Sequence, residues 1–203
     1  MTLYYFHDPM CSWCYAFQPF WQEMKFGLPD NVTAKRVLGG LCPDDDALMP
    51  ESLQHTIQQH WQRIEQVVPG TRFNYDFWTK CKPRRSTYPA CRSVIAAVKQ
   101  NTAMEDPMIE AIQAAYYRQA RNPSDYSTHL QIAEELQLDL IKFEQDLGSE
   151  DTERELVQQL ELTQSYAVRG FPSVLLVTED LQLNITVDYK NADSMLFQII
   201  EAL

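Results

Sequence analysis

No stretch of this 203-residue chain approaches the roughly 18 consecutive apolar residues that mark a membrane-spanning helix, so none is expected. Cations are scarce: 17 Lys and Arg stand against 28 Asp and Glu, a net charge of −11. A nucleic-acid surface needs the opposite balance, and that class of partner is excluded. Met1-Thr2 runs straight into "LYYFHDP", without the positive start, apolar stretch and small-residue cleavage site of a secretory leader. With Met1 as the natural start, that predicts a cytoplasmic protein with no membrane attachment. There is no internal repeat and no low-complexity segment. The cysteines number five, and an odd count argues against a disulfide framework. In a reducing compartment a close cysteine pair is more often catalytic or metal-binding than structural.

What remains is ordinary for a globular chain: 45% hydrophobic and 22% charged residues, enough for one large domain or a core carrying an insertion. Residues 2 to 7 are rich in Leu, Tyr and Phe, ended by Asp8-Pro9, and predict a short buried strand. A helix follows from Ser12 to about Phe26, with Pro19 inside it, where a proline removes one hydrogen bond and should kink it. "NVTAKRVLGG" (31 to 40) predicts a second strand. From about Asp44 to Tyr166 the strand signal fades. Leu53, Ile57, Trp61, Ile64 and Val68 recur at helical steps, and further helices are predicted near 88–100, 106–121, 128–137, 139–147 and 150–166. After Gly170, "PSVLLVT" and "LQLNITVDY" read as strands and "NADSMLFQIIEAL" as a closing helix. The order β-α-β, helical block, β-β-α predicts an α/β fold. Its core would be residues 1–43 and 167–203, with 44–166 as a large inserted helical subdomain.

Chemistry concentrates in "HDPMCSWCYA", residues 7 to 16. A lone C-x-x-C serves zinc sites and redox sites alike. Zinc needs a second ligand pair. Cys42, Cys81 and Cys91 stand far apart, His55 and His60 are five apart on a helix, and His129 is isolated, so no metal is expected. A redox pair fits the setting better. Cys11 would meet the N-terminus of a helix, whose free N–H groups and dipole favour a thiolate, while Cys14 lies one turn further in. An exposed low-pKa thiol that attacks and a shielded one that resolves suit thiol–disulfide exchange. Ser12 and Trp13 between them bring no carboxylate to oppose ionisation. His7 either ends the strand or tunes the pair, and the lone cysteines read as small buried hydrophobes.

A second motif is "VRGFPSVLL", residues 168 to 176. A proline entering a buried strand cannot donate to the ladder, and a cis Phe171–Pro172 bond beside the cysteines would accommodate it. Elsewhere, "KCKPRRS" (80 to 86) gathers four cations, either a solvated loop or a place for a small anionic partner such as a thiol peptide.

"DPMCSWCYAF", Pro19 five residues after the second cysteine, "VRGFPSVLL", "YPACRSVIAA" and "YYRQARNPSD" together resemble the DsbA family of thioredoxin-fold proteins, near its FrnE-like branch, over essentially the whole chain. The resemblance implies a thioredoxin-like mixed sheet, Cys11 as nucleophile, Cys14 as resolving thiol, and Phe171 and Pro172 contacting substrate with Ser12 and Trp13. The implied activity is dithiol–disulfide exchange with protein or small-molecule disulfides, without a bound cofactor, glutathione being the candidate thiol partner. Kappa-class glutathione transferases share the layout but carry Ser at the Cys11 position. A third reading is a redox-sensitive adaptor, for which Asp44-Asp45-Asp46 would be a docking face.

Overall fold

The computed structural model describes residues Met1–Leu203. A four-stranded sheet has the order β2-β1-β3-β4, built from β1 (Thr2–His7), β2 (Thr33–Leu38), β3 (Ser173–Val177) and β4 (Gln182–Ile185). β1 pairs in parallel with β2 and antiparallel with β3, and β3 pairs antiparallel with β4. Alternation along β1 explains its near-unbroken apolar sequence, because both faces of the strand are covered. Leu3 and Tyr5 point to one face, where they meet Phe17, Trp21 and Met24 of α1 (Ser12–Gly27) and Met195 and Ile199 of α9 (Ala192–Glu201). Phe6 points to the other face with Val37 and Leu175, under Leu162 and Tyr166.

Between β2 and β3 the chain is helical: α2 (Glu51–Val67), α3 (Phe77–Lys80), α4 (Tyr88–Gln100), α5 (Glu105–Tyr117), α6 (Tyr126–Glu135), α7 (Leu140–Leu147) and α8 (Glu150–Ser165). α4 is the hub, packing on α5, α6, α7 and α8. Its inner face carries Ala90, Cys91, Ala96 and Ala97, small side chains that let neighbouring helices approach closely. Trp61 of α2 lies fully buried among Phe73, Phe77, Tyr116 and Tyr117. Met10, Ala16 and Leu38 belong to the same apolar cluster, so packing is continuous from the helical block into the sheet layer. A polar tie adds to it. Arg36 of β2, its side chain only 2% exposed, lies over the Tyr5 and Trp21 rings and pairs with Asp106 and Glu105 of α5. No helix is long and apolar enough to cross a membrane.

Several boundaries differ from those expected. The helix predicted over 106–121 stops at Tyr117, because Ala120 adopts a left-handed φ of 52° and Arg121 N–H turns back to the Ala115 carbonyl. "LQLNITVDY" pairs only through Ile185; the N–H of Thr186 goes instead to the Gln198 side chain. The four-residue α3 has no counterpart in the sequence reading, being too short to display a period.

Candidate active site

The loop after β1 places Cys11 at the N-cap of α1. Its N–H donates to the Asp8 carbonyl (3.0 Å), and its own carbonyl accepts the N–H of Tyr15 (2.9 Å), which starts the helix. Cys14 follows one turn later and is 0% exposed, against 7% for Cys11. The order matches the expectation, but Cys11 is itself buried rather than partly exposed. The correction has a clear cause: the carbonyl of Phe171 sits 3.5 Å from its Sγ, accepting its S–H, and Met10 and Trp13 close in beside it.

The two thiols are electrostatically unlike. The Cys11 thiol is lowered from its ordinary value, foremost by a hydrogen bond from Cys14, then by the N–H groups of Cys14 and Trp13. Burial and the charge of Asp8 oppose this without reversing it. Cys14 is pushed well up, first by burial and then by Cys11. Behind it stands the buried hydroxyl of Tyr5, which donates toward its sulfur. The geometry thus eases ionisation of Cys11 and opposes that of Cys14.

Phe171–Pro172 is a cis peptide and immediately precedes β3. The Phe171 ring lies against Gly39, where an added Cβ would come within 2.0 Å of it, so only glycine admits the ring there. Trp13 leans on Tyr189, ring centroids 5.2 Å apart, and stays half-buried, while Ser12 is buried. The structure therefore brings Cys11, Ser12, Trp13 and Phe171 to one cavity of about 220 Å³, with Cys14 beneath it. The remaining walls come from the helical block: Leu53, Ile57, Trp61, Tyr116 and Tyr117.

Asp8 is the feature the sequence reading missed. It appeared only as the end of a strand, yet its carboxylate is fully buried and accepts three short hydrogen bonds. They come from the N–H of Met10 (2.7 Å), the N–H of Leu41 (2.6 Å) and the hydroxyl of Thr87 (2.6 Å). One side chain thus pins the cysteine loop, the segment after β2 and the start of α4. Burial raises its pKa, only partly offset by these donors. Tyr117 adds a fourth tie, its hydroxyl donating to the Met10 carbonyl at 2.7 Å. An acidic residue directly after an apolar run was the one available signal; its partners lie too far along the chain to be read.

His7 is buried and stacked on Tyr5, with burial and Arg36 holding its pKa well down, so it ends the strand as a neutral ring. The five cysteines are free thiols. Cys91 is buried as expected, whereas Cys42 and Cys81 are half-buried, because each lies in a loop rather than inside a helix. No group of three or more His, Cys, Asp and Glu side chains gathers at metal-binding distances.

Known proteins can now be set beside this geometry. A family model described as thioredoxin matches residues 4–195. Over 98% of this chain, 22% of residues are identical to the ClpXP adapter protein SpxH of Bacillus subtilis, and the match covers 68% of that protein's length. A candidate protein disulfide isomerase from Nitrosomonas europaea superposes with a TM-score of 0.84 at 22% identity, covering 99% of this chain and 96% of that one. The cytosolic disulfide reductase DsbM of Pseudomonas aeruginosa superposes with a TM-score of 0.79, also at 22% identity, covering 100% and 98%. A second structure of DsbM is described with GSH. With its mixed four-stranded sheet and large helical block, the chain shares its fold with these structures and belongs to the thioredoxin family.

Proposed function

We propose that this protein is a cytoplasmic dithiol–disulfide oxidoreductase acting through Cys11 and Cys14. The observation that carries the reading is the asymmetry of the pair, with Cys11 at a helix N-cap and lowered in pKa and Cys14 sealed behind it and raised. The Cys11 thiolate attacks one sulfur of a substrate disulfide, forming a mixed disulfide and expelling the other sulfur as a thiolate. Cys14, losing its proton, then attacks the Cys11 sulfur, closing the Cys11–Cys14 disulfide and releasing the second substrate thiol. The substrate gains two electrons and the protein loses two; a thiol such as glutathione returns them by the reverse exchange. The backbone at Phe171 and Pro172, with Ser12 and Trp13, holds the substrate beside Cys11; the cavity that Cys11 shares with Ser12, Trp13 and Phe171 supports this, while Pro172 lies outside its lining.

The substrates are protein disulfides or small-molecule disulfides, with no resident cofactor. Insulin reduction with dithiothreitol as electron donor tests the activity, which Cys11→Ser should reduce to the uncatalysed rate. Unchanged turnover in that variant overturns the reading. The adaptor reading draws its support from the similarity to SpxH and from the exposed Asp45 and Asp46. It predicts partner binding that survives loss of both thiols. A kappa-class transferase reading is weakened by the cysteine at position 11, where that class carries serine.

A further inference from the structure

The cavity beside Cys11 has an unusual electrostatic character. The chain carries 28 acidic residues, yet none of the 14 residues lining this cavity is Asp or Glu. Its walls are mostly aromatic and aliphatic, and Arg85 is the one Lys or Arg that lines it, together with exposed His60.

Arg85 also stands apart from the other cations of its segment. Lys80 is bonded to Asp76 at 2.6 Å, and Arg84 is held by Asp125 at 2.6 Å and by the Ser124 carbonyl. Lys82 is exposed. Arg85 is half-buried and pairs with no carboxylate; its polar neighbour is the thiol of Cys42. Asp8 feels the charge of Arg85, but its carboxylate already accepts two N–H groups and a hydroxyl and forms no ion pair with it. A partly desolvated guanidinium without an ion-pair partner keeps its hydrogen-bonding fork available, and such a fork matches a carboxylate. Apolar walls strengthen that attraction by excluding water.

We propose that Arg85 selects the substrate: it binds a carboxylate borne near the disulfide, so that Cys11 reacts preferentially with anionic disulfides. This inference rests on the oxidoreductase reading and adds to it the charge class of the substrate. The cavity, about 220 Å³, takes one residue-sized portion of the substrate, so the carboxylate belongs to the part next to the reacting sulfur. A small anionic disulfide and an acidic segment of a protein both offer that chemistry.

Single-turnover oxidation of the reduced protein, followed by intrinsic tryptophan fluorescence to which Trp13 beside the cysteines contributes, requires no added reductant and reads the step directly. Three oxidants are compared at low salt: glutathione disulfide, a disulfide-linked peptide with Glu beside its cysteine, and neutral bis(2-hydroxyethyl) disulfide. Arg85→Gln should lower the second-order rate constant about 10-fold for one or both anionic oxidants, as expected for a lost charge-assisted bond. The neutral oxidant should change less than about 2-fold, within the scatter of single substitutions away from reacting groups. Whichever anionic arm falls identifies the source of the carboxylate, and Arg85→Lys should recover part of the loss. Equal losses for all three oxidants, or no loss for any, overturn the proposal. If the wild type exchanges no disulfide at all, the oxidoreductase reading has failed separately. Calorimetry with S-methylglutathione, which has no thiol or disulfide to exchange, then decides: weaker binding to Arg85→Gln supports the carboxylate site, and equal binding or none to the wild type overturns it.

Discussion

The two sides of the first turn of α1 face different surroundings. Cys14 looks into the sheet layer, where the Tyr5 hydroxyl donates toward its sulfur and the charge of Arg36 lies beyond. Cys11 looks outward to a cavity whose far wall is contributed by the helical block. A single turn of helix thus spans a sealed environment that keeps a thiol protonated and a cavity edge that favours a thiolate. The preference for a thiolate comes from Cys14 and the N–H groups of α1 itself, whereas the cavity that Cys11 faces requires the helical block to be docked at the right height. Asp8 sets that height by holding Met10, Leu41 and Thr87 together.

The largest effect should come from exchanging the roles of the two thiols. Cys14→Ser keeps the attacking thiol but removes the resolving one, so mixed disulfides should accumulate on Cys11, visible by mass spectrometry as adducts of the added substrate. Adducts on Cys42 or Cys81 instead would assign the chemistry to another region.

Next in size is the tie between the regions. Asp8→Ala strands the N–H groups of Met10 and Leu41, leaving the Thr87 hydroxyl only the Cys42 carbonyl, and should cost roughly 2–4 kcal/mol in urea unfolding. A loss below about 0.5 kcal/mol, the usual range of a neutral surface change, would mean the segments are held by apolar packing alone.

Asp8→Asn sharpens the comparison by charge. Burial raises the folded-state pKa of Asp8, so the protonated form suits the fold better. Its contribution is fully present below its unfolded value, about 4, and is lost as pH rises through the higher folded value. The stability of the wild type relative to Asp8→Asn should therefore decline across that window. The same variant removes a charge that raises the Cys11 pKa, so its alkylation profile should move to lower pH. A shift upward would place Asp8 outside the field felt by Cys11.

Much of this was legible because it is local. The strand Thr2–His7, the helix opening at Ser12, the C-x-x-C spacing and the run beginning at Ser173 all depend on neighbours within a few residues. The helix near 88–100 was readable for the same reason, though not its place at the centre of the helical block. What could not be read depends on pairs distant in sequence. Asp8 meets Thr87 across 79 residues and Leu41 across 33, and neither partner carries a motif. The sequence placed Phe171 beside the cysteines across 160 residues, but not its carbonyl against the Cys11 sulfur, so Cys11 was expected to be more open. "KCKPRRS" displayed its cations as one cluster, whereas folding pairs two of them with carboxylates and leaves Arg85 at the cavity.

The smallest predicted effect concerns Tyr5. Its hydroxyl favours ionisation of Cys14, so Tyr5→Phe should slow resolution a few-fold, as for one neutral hydrogen bond, while leaving the attack by Cys11 unchanged. Equal slowing of both steps would point to repacking of the sheet face instead.

The most direct test of the account is the pH dependence of alkylation in the fully reduced wild-type protein, with each cysteine resolved by mass after proteolysis. Cys11 should react with iodoacetamide along a curve whose midpoint lies below that of an ordinary thiol, and Cys14 should remain unmodified across the same range. A Cys11 midpoint at or above the ordinary thiol value, or matching curves for the two cysteines, would contradict the division between an attacking and a resolving thiol.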